Sequence, residues 1–513
     1  MLLKAKPIYV EAKKPIVILN QEDADELDVR ALDRVELWHN SKKEIAIVNI
    51  TKKFVQPGEI GLYGCVEEGL CAGPGASIKV EAAEPPESLA YIKNRLAGKI
   101  IKAKEMKQIV KDVVENKLSE IEITCFVISL YHRPMSMEET AALSMAMVET
   151  GKHVKISSKK IFDKHSIGGI PGDKTSMLLV PIVAVAGLTI PKSSSRAITA
   201  PAGTADKMEC ICPVNLTLEE IKKVVKKTNG CLVWGGALDI APADDIFIEI
   251  EHPLAIDPLL LPSVMSKKKA MGSKYLVIDI PTGKGVKVRT IGEAKELGNQ
   301  FIELAKKLGI KAECISTFGE QPVGFGIGPA LEAREALQIL SGHRTPQDQL
   351  DKVCDLAAVL FKFAGMRNGY EKAKELIKSG KAEKKFRQII EAQGGNPKIR
   401  PEDIPIGDRV CQIKSKVSGK ALWINNTAVI QVAREAGAPK DKGAGILLHK
   451  KSGDHVKKGE TMFEIFAEKD YKLERSLKKM QELTVMGVGK SSEMMLAEIP
   501  EVEKHRKYFI LER

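Results

Sequence analysis

The alternation of short β-branched runs with helical runs between residues 153 and about 400 constrains the fold more than any other feature. In chain order the runs are HVKIS, TSMLLVPIVAVAGL, TIPK, TLEEIKKVVKKTNG, YLVIDIP, IGEAKELGNQFIELAKKLG and AECIS. Strands that alternate with helices predict a parallel sheet flanked by helices. Such sheets bind ligands at the carboxyl ends of their strands, so we expect functional residues in the loops that follow strands.

The segments on either side have different patterns. Short Val/Ile/Leu-rich runs separated by turn signals predict a small β-barrel over residues 1–84. Helical periodicity predicts a helical domain over 85–158, which we expect about 240–272 to complete. Residues 401–513 are β-rich again, with turns at KSGD and KKGE, and predict a β-rich α+β domain organised as a barrel or sandwich. The fold class is therefore multidomain α/β, with a central, mostly parallel domain over 159–400.

Composition excludes several classes of protein. With 44% hydrophobic and 28% charged residues the chain is typical of globular proteins, and no window has the unbroken apolar length of a bilayer span. The N-terminus has no apolar secretory signal, so we predict a cytoplasmic protein without a membrane partner. Nine scattered cysteines fit a reducing compartment. The pair Cys210 and Cys212 is either a metal-site fragment or, as we favour, two buried neutral thiols.

The net charge of +12 has two interpretations, a nucleic acid partner or a phosphate-bearing small molecule. Lysines are spread along the chain and mixed with acids, as in KAKEMKQIVKDVVENK (102–117), which is typical of a solvated amphipathic helix. Aromatic residues make up only 5% of the chain, too few to indicate a stacking platform for single strands. We therefore predict a small phosphate-bearing ligand and no nucleic acid partner.

A glycine-rich loop, DKHSIGGIPGDKTS (Asp163–Ser176), precedes the apolar helix MLLVPIVAVAGL. A glycine-rich turn before a helix can offer backbone N–H groups and the positive end of the helix dipole to an anion. Phosphate is the ligand we expect there. The Walker A pattern fails because Asp173 separates Gly172 from Lys174. A turn that merely connects strand to helix remains the alternative.

A second loop, IPKSSSRAITAPAGTADKME (190–209), also follows an extended run and opens a helix. The two loops together hold more cationic and hydroxyl donors than one phosphate needs, which indicates two anionic groups. Ordinary exposed loop chemistry would explain either loop alone. The donors are Lys164, Ser166, Ser176, Ser193, Ser194, Ser195, Arg196, Thr199 and Thr204.

The third stretch of interest runs from residue 255 to 288. Asp257 precedes Pro258 in an apolar neighbourhood, where burial would raise its pKa and make it a candidate general acid. A helix N-cap is an equally good interpretation. Ser263 and Lys267 share a helix face, and Lys287 follows a strand and a GKG turn at the expected ligand edge.

These stretches resemble the thymidine/pyrimidine nucleoside phosphorylase family, whose motif D-K-H-S-x-G-G-x-G-D-x-T-S matches Asp163–Ser176 apart from an added Pro171. SSSRAIT, AGTADK, VWGGALDIAPADD and MSKKKAMGSKYLVIDIPTGKGVKV are most similar to archaeal members that cleave nucleoside monophosphates, over nearly the whole chain. The resemblance implies a glycosyltransferase of nucleotide degradation that converts AMP and phosphate, and also CMP and UMP, to free base and ribose 1,5-bisphosphate. It implies no metal and no cofactor. Phosphorolysis of pyrimidine nucleosides is the alternative.

The resemblance also implies roles for individual residues, with Asp257 as the proton donor. It implies phosphate binding by Lys164, Ser166, Ser176, Ser194 and Thr204. It implies AMP binding by Gly169, Ser195, Arg196, Ala197, Ile198, Thr199, Ala200, Thr204, Ser263 and Lys287. Nucleoside phosphorylases have glycines and a histidine in the 194–204 loop, whereas this chain has hydroxyl and small residues, an exchange that we expect to form a 5′-phosphate pocket. The terminal domains are expected to assemble a homodimer or larger homo-oligomer.

Overall fold

The computed structural model describes residues 1–10, 14–158, 160–197 and 200–490. It confirms the predicted fold class, because a β-barrel, a helical bundle, a parallel-stranded α/β region and a β-rich α+β region follow one another along the chain. Within the described ranges, none of the helices combines the length and the apolar character that a membrane span requires.

The N-terminal region is a closed barrel with the strand order β1-β5-β2-β4-β3-β6. Alternating apolar residues such as Leu19, Val35 and Leu62 fill its interior. The sequence patterns indicated β2 to β6, but not β1, whose run LLKAKPI is interrupted by lysines. The elements are β1 (Leu2–Ile8), β2 (Ile16–Asn20), α1 (Gln21–Glu26), β3 (Arg34–His39), β4 (Lys42–Thr51), β5 (Glu59–Tyr63), α2 (Gly64–Leu70) and β6 (Ser77–Ala82).

A helical bundle follows. A capping box begins its last helix, since Ser136 accepts a hydrogen bond from the backbone N–H of Glu139 and the Glu139 carboxylate accepts one from Ser136 N–H. Arg95 and Glu139 form a buried ion pair at 2.9 Å, which ties the first helix of the bundle to the last. The helices are α3 (Glu87–Leu96), α4 (Ala103–Val114), α5 (Glu120–His132) and α6 (Met137–Thr150).

The α/β region supplies the parallel sheets and two helices that return to the bundle. Its elements are β7 (Phe162–Ser166), α7 (Thr175–Val185), β8 (Ile190–Ser194), α8 (Thr204–Glu209), α9 (Leu218–Thr228), β9 (Gly230–Trp234), α10 (Pro242–Leu254), α11 (Leu260–Ala270), β10 (Tyr275–Thr282), α12 (Ile291–Lys307), β11 (Lys311–Phe318), β12 (Gly326–Ile327), α13 (Pro329–Leu340), α14 (Gln347–Phe363), α15 (Gly369–Lys378) and α16 (Lys381–Ala392). Phe247 of α10 contacts Phe126 of α5, with 5.9 Å between the ring centroids, so α10 shares the core of the bundle.

The strands form one parallel sheet in the order β11-β10-β7 and a second parallel pair, β8-β9. The expected strand in HVKIS is wrong, because residues 153–157 are irregular; Val154 donates a single backbone hydrogen bond to Ala270 O, and no ladder forms. Pro181 lies inside α7, whose described residues are almost entirely buried. A helix that is apolar on all sides is typical of a buried core position.

The C-terminal region has two antiparallel sheets, β12-β15-β17-β13 and β16-β14-β18, around one core shared with two helices. It is therefore β-rich α+β, as predicted. The β12 segment comes from the preceding region and pairs with β15. The elements are β13 (Arg409–Lys414), β14 (Gly419–Ile424), α17 (Asn426–Glu435), β15 (Gly445–Leu448), β16 (His455–Val456), β17 (Thr461–Ala467), α18 (Asp470–Glu482) and β18 (Met486–Gly489).

Candidate active site

A crevice opens between β7 and β8. Among the described residues, β pairing between the two strands is limited to one bridge, Ile161 to Thr189, after which each strand follows its own sheet. Ser166 and Ser194 each lie five residues beyond that bridge, at the carboxyl ends of β7 and β8. Neighbouring parallel strands that separate in this way form the ligand crevice of open α/β sheets. The two predicted loops therefore begin at the same sheet edge.

Buried ion pairs hold the first loop in place. Asp279 of β10 accepts hydrogen bonds from Ser166 Oγ at 2.8 Å and Thr317 Oγ1 at 2.6 Å, and its Oδ2 lies 2.9 Å from Lys352 Nζ. The same ammonium is 3.0 Å from Asp173 Oδ2, in the middle of the glycine-rich loop. These charges keep the pKa of Asp173 well below its ordinary value and raise that of Lys352, despite burial. A lysine on α14 thus joins the loop to the sheet.

The floor of the crevice carries excess positive charge. Lys164 and Lys192 are both buried, and burial lowers the pKa of each, that of Lys192 strongly because Lys268 is close by. Lys164 Nζ is 3.8 Å from Asp279 Oδ2, and Lys192 Nζ donates to Ser193 O at 2.5 Å. Burial and the surrounding lysines also lower the pKa of His165. A bound anion would favour the charged forms of these groups.

Ser194 is the most informative predicted phosphate ligand. Its Oγ is buried and has no hydrogen-bond partner in the described part of the chain. A buried hydroxyl without a partner costs free energy, on the order of 1–3 kcal/mol, which indicates a functional role for it. Its position at the end of β8, beside the lysine-rich floor, suits a hydrogen bond to a bound oxyanion.

Two glycines let the first loop pack closely against its neighbours. Gly169 has φ +88°, and a Cβ there would lie 3.0 Å from the backbone N of Lys287. Gly172 has φ +78°, and a Cβ there would lie 2.4 Å from Val323 O. Both positions need glycine because of the left-handed backbone as well as the lack of space. The first contact brings the predicted AMP residue Lys287 against the phosphate loop.

The second loop is built around Asp206 of α8. Asp206 Oδ2 accepts hydrogen bonds from Ala197 N at 2.8 Å and Gly203 N at 2.9 Å, which closes the loop on itself. Arg196 makes two parallel hydrogen bonds to Glu209, at 2.7 and 2.6 Å, and lies over the Trp234 ring. The guanidinium is therefore held by carboxylates and an aromatic face instead of pointing into bulk solvent.

The candidate proton donor is in a different environment. The side chain of Asp257 is 48% exposed, and its Oδ2 lies 3.5 Å from Lys287 Nζ. The expected apolar surroundings are therefore wrong for this structure: Asp257 lies in the loop between α10 and α11, not in either core. The N-cap interpretation is also wrong, since Leu259 caps α11 without a side-chain hydrogen bond.

Glu251 is the buried acid near this loop. It is only 6% exposed, and one carboxylate oxygen accepts a hydrogen bond from Leu259 N at 3.1 Å. Burial, together with the negative charge of Asp257, raises its pKa to about 8. The Glu251 carbonyl also accepts from Ile256 N, so Glu251 holds the Asp257 loop on both sides. The sequence analysis missed Glu251 because nothing in HPLAID indicates that the residue before it is buried.

Ser263 and Lys267 share a face of α11, as predicted, and both bind one carboxylate. Ser263 Oγ donates to Asp244 Oδ2 at 3.0 Å, and Lys267 Nζ is 2.5 Å from the same oxygen. Asp244 lies in the first turn of α10, and its other oxygen is buried without a hydrogen-bond partner in the ranges that the structure describes. Helix α11 also reaches the sheet, because Lys268 Nζ lies 3.0 Å from Asp163 Oδ2 of β7.

The structure thus brings Lys164, Ser166 and Ser194 to one sheet edge, with Gly169 packed against Lys287 and Lys287 paired with Asp257. Ser176 is buried in the first turn of α7. Of the remaining predicted residues, the second loop carries Ser195, Ala197 and Ala200, and α8 begins at Thr204. Two more, Ile198 and Thr199, lie outside the described residues.

Some residues of the site carried too little signal to be predicted. Lys192, Asp279 and Lys352 are each part of an ordinary strand or helix pattern, and only the tertiary fold places them at the loop. Of the two predicted buried thiols, Cys212 is buried and Cys210 is only partly buried, and burial raises the pKa of both to about 12.

Three family models match the chain. The helical bundle domain of a glycosyl transferase family matches residues 89–151, the a/b domain of that family matches 158–383, and the C-terminal domain of pyrimidine nucleoside phosphorylase matches 423–486. An anthranilate phosphoribosyltransferase from Thermus thermophilus has the same fold over 59% of this chain and 98% of its own, with a TM-score of 0.51 and 16% identity. The family models define the class of the protein, a glycosyl transferase.

Curated relatives narrow the class further. An AMP phosphorylase from Thermofilum pendens is 45% identical over the whole of both chains. Another from Thermococcus kodakarensis is 48% identical over 90% of this chain and 92% of its own. The chain belongs to the AMP phosphorylase family.

Proposed function

We propose that the enzyme cleaves AMP with inorganic phosphate to give adenine and ribose 1,5-bisphosphate. The observation that carries the proposal is the separation of β7 and β8: the buried Ser194 hydroxyl at the end of β8 has no partner among the described residues, and each strand carries a buried lysine, Lys164 or Lys192. An oxyanion would supply the acceptor that Ser194 lacks and would favour the charged forms of the two buried lysines. The names of the full-length relatives support AMP as the nucleotide.

In this mechanism phosphate is the nucleophile. Held by Lys164, Ser166, Ser176, Ser194 and Thr204, it attacks the anomeric carbon of the ribose as the bond to the base breaks. A positively charged, oxocarbenium-like sugar develops in the transition state, as in glycoside hydrolysis, and the phosphate stabilises it. Fixing phosphate and sugar in line can contribute on the order of 7–11 kcal/mol.

The leaving base needs a proton, for which Asp257 is the proposed donor. As a half-exposed group it can exchange protons with solvent before the substrate arrives. Bound nucleotide would then cover it and exclude the water that would otherwise compete with phosphate. Lys287 pairs with Asp257 and packs against Gly169, so it links the donor loop to the phosphate loop.

The second loop is the proposed pocket for the 5′-phosphate of the nucleotide. Arg196, the neighbouring hydroxyls and the backbone N–H of Ser195 supply donors there. Two separate oxyanions, the attacking phosphate and the tail of the nucleotide, would account for two loops at one sheet edge. Activity on CMP and UMP, a homo-oligomeric state through the terminal domains and a cytoplasmic location are further parts of the proposal.

The test compares nucleotides with nucleosides. Purified protein is incubated with phosphate and one of AMP, CMP, UMP, adenosine, uridine or thymidine, and release of free base is followed, with phosphate-free samples as controls. We expect phosphate-dependent release of adenine from AMP and at least a hundredfold slower release from adenosine. Equal turnover of AMP and adenosine would overturn the 5′-phosphate pocket. Faster cleavage of uridine or thymidine would favour the pyrimidine nucleoside phosphorylase alternative.

A further inference from the structure

Lys442, in the C-terminal region between α17 and β15, reaches the second loop. Its Nζ is 2.8 Å from Glu209 Oε2 and 3.3 Å from Asp206 Oδ1. Neither the sequence patterns nor the predicted site residues include it. The contact connects the C-terminal region directly to a loop of the candidate active site.

The ammonium shares its two acceptor oxygens with Arg196. Arg196 Nη1 donates to Glu209 Oε2 at 2.7 Å and to Asp206 Oδ1 at 3.4 Å. Two cations from distant parts of the chain thus bind the same two carboxylates. Arg196 and Lys442 together lower the pKa of Glu209 to about 2, so Glu209 stays ionised at neutral pH.

Asp206 connects Lys442 to the backbone of the second loop. Its other oxygen, Oδ2, accepts hydrogen bonds from the N–H groups of Ala197 and Gly203. The turn is tight, since a Cβ at Gly203 would lie 2.6 Å from Ser195 O and from Ala197 N. A shift of the Asp206 carboxylate would therefore move the backbone that is proposed to surround the 5′-phosphate.

Lys442 is itself firmly anchored. Its carbonyl accepts a hydrogen bond from Ala330 N at the start of α13, at 3.0 Å. The residues on either side are bound as well: Asp441 pairs with Lys472 at 2.6 Å, and Gly443 N donates to Glu468 at 2.7 Å. The ammonium is therefore held on a fixed support and opposes movement of the two carboxylates.

We propose that Lys442 is a positioning residue for the nucleotide loop: it fixes Asp206 and Glu209, and through them the backbone at Ala197 and Gly203, without touching substrate. This inference rests on the proposed function, because it assigns that loop to the 5′-phosphate of AMP. It gives the C-terminal region a part in substrate affinity in addition to any part in assembly.

The first experiment measures KM and kcat of Lys442→Met and Lys442→Arg. Removing the ammonium is expected to raise the KM for AMP about tenfold, with kcat and the KM for phosphate within about twofold of wild type. Arginine keeps the charge and the reach, so Lys442→Arg is expected to restore most of the affinity. Lys440→Met is the matched control, because Lys440 is an exposed lysine two residues away. An unchanged KM for AMP in Lys442→Met overturns the inference.

A double-mutant cycle separates positioning from direct binding. With Glu209→Gln as the background, Lys442 has lost its stronger carboxylate partner, so adding Lys442→Met is expected to change the KM for AMP by less than about threefold. If the full tenfold effect persists in that background, Lys442 acts on the substrate itself and the positioning role is wrong.

Hydrogen exchange provides a readout that does not depend on activity. In Lys442→Met, the peptide amides of residues 195–205 are expected to exchange faster than in wild type and in Lys440→Met, because the hydrogen bonds of Ala197 and Gly203 to Asp206 open more often. Unchanged exchange overturns the inference even if wild-type protein fails to cleave AMP. A wild-type protein without AMP turnover but with faster exchange in the variant contradicts the proposed function and leaves the positioning role supported.

Discussion

The two sides of the candidate site are built on different principles. On the sheet side, Asp173, Asp279 and Lys352 form buried ion pairs that fix the glycine-rich loop before any ligand is present. On the bundle side, Asp257 and Lys287 are about half exposed and meet at 3.5 Å. The proposed anion site is thus largely preformed, whereas the proposed donor depends on substrate to complete its surroundings.

The difference follows from what each side must do. A phosphate nucleophile has to be held in one orientation, and buried charge pairs with additional hydrogen bonds provide a rigid support for that. A proton donor must regain its proton from solvent in every cycle, so a residue on an open loop is suitable. Two regions with different requirements therefore meet at one substrate.

The largest effect is expected on the sheet side, from Lys352→Met. Removing the ammonium leaves the Asp173 and Asp279 carboxylates buried without their shared partner, which costs about 3–5 kcal/mol in comparable buried pairs. Urea unfolding followed by circular dichroism measures the loss.

Lys362→Met is the matched control on the same helix, since Lys362 pairs with Glu313 at the surface and should contribute about 0–1 kcal/mol. If the two variants unfold at the same urea concentration, the rigid support that we assign to the sheet side does not exist.

On the bundle side, Asp257→Asn is expected to change the rate of turnover and not the stability of the protein. The folded protein should keep its wild-type stability, because the side chain is half exposed and its pair with Lys287 is long. Loss of the proton donor should lower kcat by about 10²- to 10⁴-fold. Single-turnover rates with AMP measure the effect, and Lys287→Met shows how much of it depends on the pair. A kcat within threefold of wild type would remove Asp257 from the mechanism.

The sequence predicted the sheet side of the candidate site better than the bundle side. The glycine-rich loop and the hydroxyl loop were placed correctly because turn residues that follow strands have a strong local pattern. The predicted burial of Asp257 was wrong, because burial depends on how α10 and α11 pack and the segment LAIDPLLL is as apolar as a buried one. Glu251, six residues earlier, has the burial that the sequence suggested for Asp257.

Long-range contacts were beyond sequence reasoning altogether. Lys352 and Lys442 reach the site from positions more than 170 residues away along the chain. Each belongs to a locally ordinary segment, one an amphipathic helix and the other a polar loop. Only the closure of the tertiary fold brings them to Asp173 and Asp206.

A moderate effect is expected from Ser194→Ala, which tests whether the sheet side is prepared for an anion. Loss of a hydrogen bond to a charged ligand should raise the KM for phosphate about ten- to a hundredfold. Without ligand the variant should be as stable as wild type or slightly more so, since a buried hydroxyl without a partner is removed. Thermal unfolding with and without phosphate measures both. A clear loss of stability in the unliganded variant would mean that Ser194 has a structural partner.

The last effect depends on pH and concerns Glu251, the buried acid that supports the Asp257 loop. Its pKa is raised to about 8, whereas in the unfolded chain it ionises near its ordinary value of 4.5. The folded state therefore keeps a proton that the unfolded state loses, and the free energy of unfolding should fall as pH rises through this window, by at most about 1.4 kcal/mol per pH unit. Below pH 4.5 the contribution is fully present, and above pH 8 it is lost.

Glu251→Gln cannot ionise but keeps an oxygen that can accept the hydrogen bond from Leu259 N. In urea unfolding from pH 5 to 9, the free energy of unfolding of the variant should rise relative to that of wild type as pH rises. Above about pH 8 the difference should stay constant. Glu296→Gln, at an exposed position of α12, is the control for the loss of one surface carboxylate. Parallel curves for all three proteins would mean that Glu251 is ionised in the fold. The bundle side would then carry the charge of Glu251 in a buried position beside the Asp257 loop, and the contrast between Glu251 and the half-exposed Asp257 would rest on burial alone.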